Sequence, residues 1–199
     1  SSDVCSSDLP TAVERVQGRT RVQTRNGKTL EADMAVAAIG LNLHTEMALR
    51  AGLKVENGIV VNEFLQTSDS HIFAAGDVAF FPVKSLGKKM RIEHWNNAQM
   101  QGRYAGGNMA GAQRPYDYLP YFYSDLFDLG FEAVGDLDSQ HETFADWREP
   151  FREGVVYYLN GRKVVGVLLW NVWEKVDAAR QLIEKKKEYA NVRELKGRL

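Results

Sequence analysis

The stretch HIFAAGDVAFF, residues 71–81, constrains this chain more than any other. An apolar run, Ile72-Phe73-Ala74-Ala75, ends at Gly76-Asp77, and apolar residues resume at once. A short apolar run bounded by turn residues predicts a buried strand over 72–75. A carboxylate at its end would then stand at the rim of a sheet, where open α/β sheets take their ligands. Glycine lets the backbone approach a ligand closely. An ionised aspartate only accepts hydrogen bonds, which suits the hydroxyls of a sugar or sugar alcohol. Such a charged hydrogen bond contributes about 1.5–3 kcal/mol. Taken alone, Gly-Asp is equally an ordinary turn with the acid as its cap.

The flanking sequence supplies the frame. Residues 13–39 read as β structure, with Asn26-Gly27 as a hairpin turn. Met34 to Ile39 is almost wholly apolar, as expected of a strand covered on both faces, and ends at Gly40. Glu46 to Ala51 predicts a short helix with Gly52 just past its end. GIVVN, residues 58–62, predicts another strand. From Asn96 the pattern turns helical, with Ala98, Gly102, Ala105 and Met109 on one stripe. Gly102, Gly106 and Gly107 cost this helix about 1 kcal/mol each relative to alanine, which predicts compensation by close packing. The proline- and aromatic-rich run QRPYDYLPYFY then reads as a linker. Beyond it come strand candidates at 131–137, 142–147, 154–159 and 163–170, a turn at Asn160-Gly161, and a charged helix near 172–188. Val172, Val176, Ala179 and Ile183 form the apolar stripe of that helix.

Composition excludes several classes. The net charge of −1 favours neither nucleic acid nor an anionic membrane. No apolar stretch approaches the roughly 18 residues of a membrane span. The expected setting is cytoplasmic. The four histidines (His44, His71, His94, His141) are dispersed, without metal-ligand spacing. The one cysteine, Cys5, forms no Cys-x-x-Cys pair. It lies in SSDVCSSDLP, where SSD occurs twice, which reads as a disordered or non-native leader over residues 1–9 and not as a secretory signal.

The order of these features resembles the pyridine-nucleotide-disulfide oxidoreductase superfamily, in the branch holding apoptosis-inducing factor and the ferredoxin-reductase-like enzymes. LQTSDSHIFAAGDVAFF is similar to its second flavin motif, a Thr-Ser pair before a strand ending in Ala-x-Gly-Asp. LEADMAVAAIG resembles the exit from the NAD domain. RIEHW and YFYSD resemble the branch's Arg-x-Glu-His and Phe-Trp-Ser-Asp motifs, with Tyr123 in place of the tryptophan. The resemblance covers about residues 13–140 and extends to the rest in layout only.

The resemblance implies an α/β fold, a fragment of FAD- and NAD(P)-binding Rossmann-like domains, followed by a smaller α+β, β-rich C-terminal interface domain. By the same resemblance, residues 10–45 end the NAD(P)-binding domain, 46–112 are the C-terminal part of the FAD-binding domain, and 113–199 form the interface or dimerisation domain. It implies that Gly76 and Asp77 hold the ribityl chain of FAD, that His94 and Trp95 face the flavin, and that Glu93 and His94 face the nicotinamide. Gly40 is implied to lie beside the nicotinamide, and Tyr123 to stack on one of the two rings. No catalytic side chain is assigned, because hydride passes between cofactors that the protein only orients. The implied cofactors are FAD and NAD(P)H. The implied acceptor is an iron–sulfur electron-transfer protein or a small molecule, and a homodimer is compatible with the C-terminal domain. The G-x-G-x-x-G fingerprints of the family precede the region matched here, so the chain reads as the C-terminal half of a flavoprotein, inactive alone. Two other readings stand beside this one. One is a non-catalytic module for redox-partner docking or dimerisation. The other is a disulfide reductase of the same superfamily, which the absence of a His-Pro pair disfavours.

Overall fold

The computed structural model describes residues 9–199. The expected leader, with Cys5, lies outside the described residues, apart from Leu9 at its edge. The chain divides after Asn42 into two units.

The first unit is a three-stranded antiparallel sheet of β1 (Pro10–Val16), β2 (Arg19–Thr24) and β3 (Thr29–Ala32). Gln17-Gly18, both at positive φ, turn β1 into β2. Asn26-Gly27 turns β2 into β3 as predicted, with the Gly27 N–H donating to the Thr24 carbonyl at 2.9 Å. The strand expected over 34–39 is not formed. Met34, Val36 and Ile39 are 75%, 84% and 91% exposed, and no described strand pairs with them. Apolar sequence makes a buried strand only where a neighbour accepts its hydrogen bonds.

The second unit, residues 43–199, starts with α1 (Glu46–Arg50), closed by Gly52 at φ 74°. A four-stranded sheet follows in the order β4 (Val55–Glu56), β5 (Gly58–Val60), β6 (Ala79–Val83), β7 (Lys88–Met90). Only β5 and β6 run parallel. The strand expected over 72–75 is reduced to one bridge, Gln66 to Phe73, and a hydrogen bond from the Ala74 N–H to the Leu65 carbonyl. The regular strand begins after Gly76-Asp77, at Ala79, because β5 and β7 supply ladders to 79–83 and no described strand supplies one to 72–75.

Helix α2 (Trp95–Met109) forms as predicted but presents a different face. Its buried residues are Asn97, Gln101 and Ala105, while Met109 is 68% exposed. The close packing expected of its glycines is absent. A methyl added at Gly102 or Gly106 would meet nothing within 4 Å.

The end of the expected linker, residues 121–123, is already strand, the start of β8 (Tyr121–Leu126). Aromatic and branched residues fit a pleated, half-buried surface. Their proline-flanked context masked that signal. With β9 (Leu129–Gly135), β10 (Glu142–Glu149), β11 (Glu153–Asn160) and β12 (Lys163–Trp170), it builds an antiparallel sheet in the order β10-β11-β12-β9-β8. Helix α3 (Val176–Glu184) buries Ala179 and Ile183. One apolar cluster runs through the unit from Leu65 and Phe81 to Val134, Tyr157, Leu169, Ile183 and Leu195. Among the described residues, no helix is long and apolar enough to cross a membrane.

Candidate functional site

Gly76 stands at φ 80°, in the left-handed region, and its carbonyl accepts the Ala79 N–H at 2.9 Å, closing a turn around Asp77. The turn lies against α2. A methyl on Gly76 would sit 3.4 Å from the Ala98 Cβ. The Gly76 N–H donates to the Gln101 Oε1 at 2.7 Å.

On the other side the turn is held by Arg91. Its Nη1 donates to the Asp77 carbonyl at 3.3 Å and to the Glu93 Oε1 at 2.6 Å, and its Nε donates to the Asn57 Oδ1 at 3.3 Å. One guanidinium thus ties the aspartate turn to the residues entering α2. Gly58, at φ 116°, admits this packing. A methyl there would lie 2.6 Å from the Val78 carbonyl oxygen and 3.1 Å from the Arg91 Cδ. The Asp77 carboxylate has no hydrogen bond or ion pair with the described residues.

His94 is the residue before α2, with extended backbone and no side-chain cap. The first turn of the helix therefore keeps free N–H groups and about half a positive charge. The imidazole stacks on Phe122 with centroids 4.1 Å apart and planes 21° apart. Burial pushes its pKa below the usual histidine value, against a hydrogen bond that the ring donates to the Glu93 backbone and the charges of Asp77 and Glu93. Through Arg91, the backbone of Asp77 and the side chain of Glu93 at the entry to α2 share one neighbourhood. A cavity of about 330 Å³ is walled by Met90–His94, Pro120, Phe122, Gly135 and Leu137. Asp77 joins that wall through Arg91.

Trp95 is 72% exposed at the helix tip, not a core tryptophan. Tyr123 is 60% exposed and stacks on Tyr121 at 6.4 Å. Side chains alternate along a strand, so Tyr123 lies on the opposite face of β8 from Phe122, the ring that touches His94. Gly40, at φ 96°, belongs to the first unit. The structure thus gathers Gly76, Asp77, Glu93, His94 and Trp95, and places Tyr123 on a neighbouring strand facing the other way.

Three residues of the site, and one acid on the neighbouring strand, escaped the sequence reading. Arg91 lay inside a recognised motif but carried no role. Gln101 is a polar residue on the buried face of a helix, detectable only once that face is known. Phe122 read as part of the linker. Glu132 sits opposite Tyr123 in the β8–β9 ladder, with its Oε2 buried and unpaired among the described residues. Burial raises its pKa, opposed by the charge of Arg180. An acid flanked by Phe131 and Ala133 inside a strand was its only signal.

The group that this arrangement fits is a flavin nucleotide. An unengaged carboxylate beside a glycine turn suits a ribityl hydroxyl, and an uncapped helix tip suits a ring that gathers negative charge. The comparisons agree. The family model described as pyridine nucleotide-disulphide oxidoreductase matches residues 6–102. That of the C-terminal region of mitochondrion-associated apoptosis-inducing factor matches residues 105–150 and 144–185. Mitochondrial apoptosis-inducing factor 1 of Dictyostelium discoideum is 38% identical over 193 residues, covering 89% of this chain and 36% of that protein. Putidaredoxin reductase CamA of Pseudomonas putida is 33% identical, covering 92% of this chain and 42% of that protein. Among solved structures, the ferredoxin reductase for the CYP199A2 system of Rhodopseudomonas palustris superposes with a TM-score of 0.78 at 29% identity, covering 90% of this chain and 45% of that one. The reductase–putidaredoxin covalent complex gives 0.76 at 34% identity, over 83% of this chain and 40% of that one. The chain thus spans less than half the length of these relatives. It belongs to the pyridine nucleotide-disulphide oxidoreductase family, in the branch of apoptosis-inducing factors and ferredoxin reductases, whose cofactors are FAD and NAD(P)H.

Proposed function

We propose that this chain furnishes the ribityl-binding acid, the flavin-facing helix tip and the interface domain of an FAD-dependent NAD(P)H oxidoreductase. The observation that carries this reading is the meeting of Asp77 with the uncapped start of α2, tied by Arg91 through Asp77 and Glu93. Bound FAD supplies hydride acceptance and the release of electrons one at a time. Asp77 would hold the ribityl chain by accepting a hydrogen bond from one of its hydroxyls. The α2 tip offers free N–H groups and a positive dipole end where negative charge develops, which is electrostatic preorganisation without proton transfer. His94, whose pKa burial pushes down, and Trp95 would wall the ring, and Phe122 stacks on His94. Glu93 is assigned to the nicotinamide side. Tyr123, paired with Glu132 across the β8–β9 ladder, forms a separate exposed aromatic edge, open to the nicotinamide's amide or to the partner.

The acceptor is proposed to be an iron–sulfur electron-transfer protein, a reading supported by the putidaredoxin complex among the structural neighbours. A single cysteine suits a reducing setting such as the cytoplasm. The second reading, a docking or dimerisation module, draws on Phe127, Phe151 and Trp173, which are 99%, 76% and 47% exposed.

The test is made on the intact protein. Purified protein should be yellow, and NADH should bleach its flavin band. Asp77→Ala should weaken FAD binding by about tenfold or more, the loss of one hydrogen bond to a charged acceptor. Colourless protein that neither takes up FAD nor bleaches it ends the flavin reading, and FAD binding unchanged in Asp77→Ala removes the role of the acid.

A further inference from the structure

Gln101 is fully buried in α2. Its Oε1 accepts the Gly76 N–H at 2.7 Å, and its Nε2 has no partner among the described residues. The amide's orientation is fixed by this contact, because a main-chain N–H must meet the oxygen and not the nitrogen. A buried N–H group without a partner destabilises a fold. The helix therefore retains a side chain of which only the acceptor is used, and what that acceptor holds is the peptide one residue before Asp77.

The surrounding hydrogen bonds give this contact its meaning. The Gly76 carbonyl is taken by the Ala79 N–H and the Asp77 carbonyl by Arg91. With the Gly76 N–H held by Gln101, the backbone on both sides of Asp77 is fixed while its carboxylate stays free to accept. Gln101 lies six residues beyond Trp95, on the helix whose tip carries His94.

We propose that Gln101 is a positioning residue for the flavin site. Its amide oxygen locks the 76–77 turn to α2, so that the ribityl-binding carboxylate and the helix tip keep one geometry. This inference rests on the flavin reading above and names a residue which that reading does not use.

The experiment compares the intact wild-type protein with Gln101→Met, similar in size but without a strong acceptor, and Gln101→Glu, which keeps an acceptor oxygen at the same place. FAD is titrated into apoprotein by fluorescence quenching. The visible circular dichroism of bound flavin and the melting temperature of each apoprotein are recorded. Gln101→Met should bind FAD about tenfold more weakly, with an altered dichroic band, and Gln101→Glu should return to within about twofold of wild type. Hydrogen exchange of the Gly76 amide in wild type, which needs no variant to fold, should show protection. Gln101→Met binding FAD like wild type with the same dichroism overturns the proposal. So does Gln101→Glu failing as badly as Gln101→Met, or a Gly76 amide exchanging as freely as an exposed one. Wild type that takes up no FAD sinks the flavin reading instead.

Discussion

Replacing Asp136 by asparagine tests how the cavity wall is held. Asp136 is 7% exposed between Gly135 and Leu137, which both line the cavity beside His94. Its Oδ2 receives the Lys88 ammonium and meets the His141 Nε2 at 2.8 Å. It therefore fastens the end of β9 to β7 across the fold. Its backbone is equally confined, since a methyl on Gly166 would collide with the Asp136 carbonyl oxygen. The magnitude comes from the exposures. The lysine side chain is 45% exposed, so its pairing is screened and contributes about 0.5 kcal/mol. The histidine contact is sheltered, at 18% exposure, and a hydrogen bond to a charged group contributes about 1.5 kcal/mol or more. Asparagine keeps an acceptor oxygen but loses the charge, so Asp136→Asn should cost about 2 kcal/mol. For a unit of this size that is a fall of about 4–8 °C in melting temperature. The effect has a pH signature. Burial alone would raise the Asp136 pKa, but hydrogen bonds from His141 and Lys88, with their charges, outweigh it and hold the carboxyl below the usual aspartate range. A group whose folded pKa is depressed stabilises fully above its unfolded value, about 3.9, and loses that contribution as pH falls through the folded pKa. Urea unfolding of both proteins at pH 7 and at steps below about pH 4 should show a gap that closes on acidification. A gap under about 0.5 kcal/mol at pH 7, or one unchanged at about pH 3 with equal m-values, would refute the reasoning.

Two more outcomes are expected from the same geometry. Phe122→Ala removes the ring stacked on His94 and admits water, so the His94 pKa should rise toward 6.5 in an NMR titration, and an unchanged value would show that Phe122 is not what buries the imidazole. Gly102→Ala, in a helix interior with open space around the new methyl, should stabilise by about 1 kcal/mol, read as a higher urea midpoint at unchanged m-value.

The site was partly legible because its members sit close in sequence. Glu93, His94 and Trp95 adjoin a helix start that shows in the 3.6-residue rhythm, and Gly76-Asp77 interrupts an apolar run. The buried face of α2 was misread for a definite reason. Small and apolar residues marked one stripe, but Gly76 needs an acceptor and the Tyr116 hydroxyl donates to the Asn97 Oδ1 at 3.1 Å, so the polar stripe turned inward. Hydrophobic periodicity cannot report a face chosen by hydrogen-bond demand. The same limit applied to Glu132, whose burial is set by β8 and α3 and not by its neighbours in sequence.

The strand over 72–75 and the run 34–39 show the converse. Their apolar character is local, but a strand exists only where another strand closes its hydrogen bonds. Sequence alone determined the turns at Asn26-Gly27 and Asn160-Gly161, the helices α1 and α3, and the motif order that marks the family, because these depend on backbone preference and spacing within a few residues. The tertiary structure alone decided that Arg91 bridges Asp77 and Glu93, that His94 lies on Phe122, and that Tyr123 faces away from both. Those contacts depend on which segments are brought side by side, and that is fixed by ladder register and helix rotation, quantities that only the assembled fold defines.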